Sequence, residues 1–84
     1  MTGFDEFYRL RWPDAARWAT GLVGQSAVGQ DLAQEAFLRV RDRYASLDNP
    51  TGYLRTTIVN LCRSWQRSTA REAVRMEAAA AVRR

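Results

Sequence analysis

The chain contains no histidine and no lysine, one cysteine, two prolines and five glycines in 84 residues. Each scarcity closes off a class of protein. With no histidine and with Cys62 alone, a zinc site of cysteine and histidine ligands cannot form. An internal disulfide and a catalytic cysteine–histidine pair are excluded on the same ground. A lone thiol fits a reducing cytoplasm. Few turn formers, beside many Ala, Leu and Arg, favour helices over a many-stranded sheet. No apolar run reaches the roughly 18 residues that a membrane span requires, so no membrane association is expected. The N-terminus, Met1-Thr2-Gly3-Phe4-Asp5-Glu6, has neither the basic stretch nor the apolar run of a secretion signal. No spaced carboxylate pair, glycine-rich phosphate loop or nucleophile–base set appears. Neither an enzyme nor a bound cofactor or metal is expected.

What is present suits one small domain with a thin core, at 46% hydrophobic and 26% charged residues. All 13 basic residues are arginine, which fits a GC-rich genome better than selection for bidentate phosphate contacts. The net charge of +4 is unevenly placed. Residues 1–50 hold six Arg against seven acids, or −1, and residues 51–84 hold seven Arg against two, or +5. Such a half is either an ordinary solvated helix face or a polyanion-binding one.

Hydrophobic periodicity predicts three main helices, about residues 3–23, 27–45 and 50–67. Thr2 can cap the first, with Asp5 at its positive end. Its stripe is Phe4, Tyr8, Trp12, Ala15, Ala16, Ala19, Leu22 and Val23, ended by Gly21 and Gly24. Pro13 is expected to kink or split it near Arg11–Trp12. The second helix starts near Ser26, is weakened by Gly29, and carries Val28, Leu32, Ala33, Ala36, Phe37, Val40 and Tyr44 on one face. Opposite lie Asp31, Gln34, Glu35, Arg41 and Asp42, with Leu38 in their midst. That leucine is either a scattered exposed residue or a partner's contact point. Ala45–Asn49 reads as a loop, and Asp48 or Asn49 before Pro50 starts the third helix. Its core stripe is Leu54, Ile58, Leu61, Cys62 and Trp65. Its opposite stripe is Thr56, Asn60, Arg63 and Arg67, whose groups can donate to phosphates or base edges. Residues 68–84 are rich in Ala, Arg and Glu, and Thr69-Ala70-Arg71-Glu72 has capping-box spacing, so a fourth, looser and fraying helix is expected there.

The segment Asp31-Leu32-Ala33-Gln34-Glu35-Ala36-Phe37-Leu38-Arg39-Val40 resembles the signature of region 2 of sigma factors of the sigma-70 family, of the extracytoplasmic-function type. Asn49-Pro50, Tyr53-Leu54, Ile58-Val59-Asn60 and Arg67 resemble the family's next stretch, in order and at the right separation. The likeness covers roughly residues 4–72. Tyr53 stands where Trp is usual, Ser64 where Asp is frequent, and Trp65 and Gln66 are atypical. Nothing resembles the family's second domain, a helix-turn-helix. The chain therefore reads as a fragment, an isolated domain or a degenerate member, with residues 1–67 as the region 2 domain and 68–84 as the start of an interdomain linker. A cut fragment fits best.

The resemblance implies an all-α domain of three to four helices and a division of labour. The second helix, through Asp31, Gln34, Glu35 and Leu38, would dock on the clamp coiled coil of core RNA polymerase. The loop with Asp48 and Asn49, and the stripe Thr56, Asn60, Arg63 and Arg67, would engage and help melt the non-template strand of the promoter −10 element. An anti-sigma factor is a frequent partner in such proteins. Two other readings compete: a helix-turn-helix module reading duplex DNA, and a helical protein-binding domain without a nucleic-acid role. The candidate turns are not followed by an obvious recognition helix. Preference for single-stranded over duplex DNA would separate the first alternative. Absence of salt-sensitive DNA binding would favour the second.

Overall fold

The computed structural model describes residues 3–82. They form three α-helices: α1 over Gly3–Val23, α2 over Ser26–Arg43 and α3 over Pro50–Val82, with a 3-10 turn at Tyr44–Ser46 before α3. The expected Thr2 cap lies outside the described residues. The three-stripe reading thus holds, and its boundaries need two corrections.

The first concerns Pro13, which does not split α1. Proline takes one donor from the helix, and here the carbonyl left without it belongs to Arg9, an exposed residue. The helix is held on both sides of the break. Phe7, Tyr8 and Trp12 pack before it, and Ala15 and Ala19 are buried after it. The second concerns residue 67, where no helix ends. α3 runs unbroken for 33 residues, and Thr69 lies inside it rather than capping a new one. After Gly52 the chain has no glycine and no proline. Ala, Arg, Glu and Met that follow are strong helix formers, so a helix already nucleated by packing simply propagates. The described residues accordingly extend 61 Å along the long axis.

The core is built from all three helices. Phe7, Ala15 and Ala19 of α1 meet Ala33, Ala36, Phe37 and Val40 of α2 and Leu54, Ile58 and Cys62 of α3. Phe37 is its centrepiece, packed against Phe7, Tyr8 and Trp12 with ring centroids 4.7–5.9 Å away. Phe4 and Phe7 also reach Tyr44, which anchors the 3-10 turn to α1. Phe7 was outside the expected stripe. Leu22, placed in that stripe, is instead exposed, and Trp65 is half-buried at the bundle's rim.

Two connections fix the helix order. Gly24 ends α1 in a left-handed conformation at φ 80°, and its N–H donates to the Thr20 carbonyl at 2.7 Å. Gln66, atypical in the family resemblance, donates from Nε2 to the Leu22 carbonyl at 2.7 Å. It satisfies a terminal carbonyl of α1 and pins α3 beside it.

Candidate polymerase and nucleic-acid interface

The exposed face of α2 carries Asp31, Gln34, Glu35 and Leu38, all turned away from the buried Ala33, Ala36, Phe37 and Val40. Leu38 is 41% exposed, so a large apolar side chain stands free among polar ones. Glu35 is tied to Arg39 at 3.3 Å. Such an exposed pair is weak and readily exchanged for a partner's charge.

On α3, Thr56, Asn60, Arg63 and Arg67 are all exposed, on the side opposite Leu54, Ile58 and Cys62. The spacing places them in one row along the helix. The structure brings these four together and leaves Asp48 exposed in the preceding loop. Of Asp48 and Asn49, both offered by the sequence as the start of α3, Asn49 takes that task. Its Oδ1 accepts the Gly52 N–H at 3.0 Å, and its backbone carbonyl accepts the Tyr53 N–H at 3.0 Å. It is the N-cap of α3, which leaves its Nδ2 and one lone pair of Oδ1 for a base edge. Gly52 fits this arrangement, since a Cβ there would lie 2.7 Å from Asn49 Nδ2.

Two further contacts shape this end of the molecule. Arg43, at the end of α2, lies 5.5 Å from the Tyr53 ring centroid and so joins α2 to the first turn of α3. Thr57 is buried and donates its hydroxyl to the Tyr53 carbonyl at 2.7 Å. A cleft of about 180 Å³ between α1 and α3 is edged by Arg11, Trp18 and Arg55 over Ala15 and Ile58. Sequence periodicity marked none of these three edge residues, because each sits where a helix turns from its buried to its exposed side. Among the described residues no cluster of carboxylates and thiols could hold a metal, and no helix is long and apolar enough to cross a membrane.

Charge completes the picture. Arg9, Arg17, Arg39 and Arg41 on α1 and α2 each stand beside an acid, Glu6, Asp14, Glu35 and Asp42 respectively. Among the described residues Arg63, Arg67 and Arg71 form no such pair. Arg11, Arg43 and Arg55 form none either, so four of the six unpaired arginines among the described residues lie on α3.

The fold is a small all-helical bundle with a polar face holding Asp31 and Glu35 on α2 and a row holding Arg63 and Arg67 on α3. The family model for sigma-70 region 2 matches residues 7–72, and the chain belongs to that family. It is a sigma factor region that takes part in binding RNA polymerase and in recognising promoters. No curated protein and no solved structure matches the chain.

Proposed function

We propose that this domain belongs to a sigma factor of the extracytoplasmic-function type and acts on the −10 element. α2 docks on the clamp coiled coil of core RNA polymerase through Asp31, Gln34, Glu35 and Leu38. The Ala45–Asn49 loop and the row Thr56, Asn60, Arg63 and Arg67 hold the non-template strand and help open the duplex. The observation that carries this reading is the exposure of all four row residues on the outer face of α3, the helix that Asn49 caps at the end of the loop.

The energetics fit such a role. Extruding a base costs a few kcal/mol of unstacking, recovered through contacts to the exposed base edge and to the backbone. Exposed arginines lose little on meeting phosphate, because no strong intramolecular pair has to be broken. The isolated domain binds weakly and the polymerase holds the strand open for it. The test is co-purification with core RNA polymerase, followed by titration of labelled −10 non-template oligonucleotides against scrambled ones. The expected result is a complex that prefers the −10 sequence. A chain that binds neither polymerase nor single strand would overturn the proposal.

A further inference from the structure

The cleft of about 180 Å³ between α1 and α3 has an apolar floor. Ala15, Leu54 and Ile58 form it, all buried and none with a polar side-chain atom. Trp18, 39% exposed, stands at its edge. Arg11 and Arg55 stand exposed at the rim, and neither pairs with an acid among the described residues. Asp14, also at the rim, is already held by Arg17 at 2.7 Å. Pockets for small-molecule ligands run to roughly 300–1,000 Å³, so this cleft suits a single large side chain instead. The floor requires that side chain to be apolar. The rim favours carboxylates around it.

The chain itself carries such a side chain. Leu38 on α2 is 41% exposed. Gln34, Glu35, Arg41 and Asp42 are its neighbours on the helix surface, and Asp31 lies two turns before it on the same face. Three acids thus surround Leu38 against one arginine. Their charge is available. Glu35 meets Arg39 at 3.3 Å and Asp42 meets Arg41 at 3.9 Å, both exposed pairs that a partner's arginine can replace. Asp31 has no pair among the described residues. The position of the two surfaces matters as much as their chemistry. The cleft is lined by α1 and α3 alone, and the groove between two helices of a three-helix bundle lies opposite the third. Leu38 points outward from that third helix, so a chain cannot fill its own cleft. A contact between the two surfaces must join two chains.

We propose that Leu38 of one chain enters the α1–α3 cleft of a second copy, with Asp31, Glu35 and Asp42 facing that copy's Arg11 and Arg55. A helix ridge seated in the groove between two other helices is ordinary helix packing. The contact joins unlike surfaces, so each chain in a pair still offers one free leucine or one free cleft. Association therefore continues head to tail and does not stop at a two-fold dimer. One side chain in one cleft buries little area, which makes the association weak, reversible and dependent on concentration. Where α2 docks on polymerase as proposed above, the two contacts exclude each other, because both need Leu38. Only this last consequence rests on the proposed function; the self-association does not.

The test is sedimentation equilibrium of the 84-residue chain over a range of concentrations, without polymerase or DNA. The weight-average mass is expected to rise above that of one chain as concentration rises, and to rise less at high salt, which screens the rim charges. Leu38→Asp removes the inserted side chain, and Arg11→Glu/Arg55→Glu reverses the rim. All three positions are exposed, and circular dichroism verifies that the variants fold. Each variant is expected to remain a single chain at every concentration. Mixed in equal amounts, they are expected to associate again, because the first keeps the cleft and the second keeps Leu38. That mixture stops at two chains, since the only intact leucine and the only intact cleft are then both used. A wild-type chain that stays single throughout overturns the proposal. So does a variant that still associates, because another surface is then responsible, and so does a mixture in which the two variants remain apart. Polymerase is absent from every arm, so failure here leaves the docking of α2 on polymerase to its own test.

Discussion

Gly29 of α2 lies directly against the backbone of Thr20 of α1. A Cβ at residue 29 would sit 2.5 Å from the Thr20 Cα and 2.6 Å from its nitrogen, and nearer still to its Oγ1. The two helices touch backbone to backbone here, and only glycine permits it. A glycine in a helix ordinarily costs up to about 1 kcal/mol relative to alanine, and this one repays that through close packing. Gly29→Ala is therefore expected to destabilise the domain by about 1–3 kcal/mol, as overpacking of a tight interior does. Gly21→Ala is the control. It faces open space at an exposed position, and is expected to be neutral or to stabilise by about 0.5–1 kcal/mol. Urea titrations of both variants check the contrast. A Gly29→Ala protein as stable as wild type would show that the helices are further apart.

Asn49 has two duties that substitution can separate. Asn49→Ala removes the acceptor for the Gly52 N–H, at an expected cost of about 1 kcal/mol in thermal or chemical unfolding. Asn49→Asp keeps the acceptor and adds a charge favourable to the helix N-terminus, so stability is retained. It removes the Nδ2 donor, however. If Asn49 also reads a base, Asn49→Asp is expected to lose promoter discrimination at unchanged stability. Equal discrimination in Asn49→Asp and wild type would confine Asn49 to capping.

These two residues also show what the chain reveals by itself. The three helices are legible because Leu54, Ile58 and Cys62, like Ala33, Phe37 and Val40, recur with helical period. The exposed faces follow by subtraction, and the structure exposes every residue assigned to them. Gly29 could not be read correctly, because a helix-weakening glycine and a helix-crossing glycine look alike until the neighbouring helix is placed. Asn49 reads equally as cap or base reader. The length of α3 was hidden for a different reason. Beyond Trp65 there is no core to impose a period, and only propensity and the lack of Gly or Pro mark the helix. Phe7 was missed because its position, about one turn from Phe4 and beside Tyr8, broadens the stripe instead of following it.

Leu38 tests the polymerase face. At 41% exposure it contributes little to the core. Leu38→Asp and Gln34→Ala are expected to leave circular dichroism and the unfolding midpoint near wild type. Loss of an apolar anchor at an interface centre commonly costs about 2 kcal/mol or more, so affinity for core polymerase should fall at least tenfold in Leu38→Asp. Unchanged affinity in both variants removes this assignment.

Cys62 gives the fold a pH dependence. It is 1% exposed, and burial pushes its thiol above the ordinary value. A group whose pKa is raised by folding contributes stability that is complete below its unfolded pKa, about 8.5 for a thiol. That contribution is lost as pH rises through the higher folded value. The denaturant midpoint is expected to fall on the alkaline side, and to fall less in Cys62→Ala. A thiol-reactive dye should label the native protein slowly and the unfolded chain fast. Rapid native labelling would place Cys62 at the surface.

Asn60 and Arg67 occupy one row of α3 but carry different chemistry. An arginine on phosphate acts through charge, so Arg67→Ala is expected to weaken all −10 oligonucleotides alike and to lower the salt slope by roughly one unit or less. An amide suits a base edge through paired donor and acceptor, so Asn60→Ala is expected to relax sequence choice by roughly 1–3 kcal/mol per base contact, with the slope unchanged. Both side chains are exposed, and neither substitution should alter the fold, which circular dichroism verifies. The measurement is a titration of −10 and scrambled non-template strands at two salt concentrations, with the chain alone and with core polymerase present. Arg63→Ala should behave as Arg67→Ala does, since it lies one turn earlier in the same row. If neither Asn60→Ala nor Arg67→Ala changes binding in the polymerase complex, the strand does not run along this face. The α1–α3 cleft edged by Arg11, Trp18 and Arg55 then becomes the surface to test, because it joins free cations to an exposed aromatic ring.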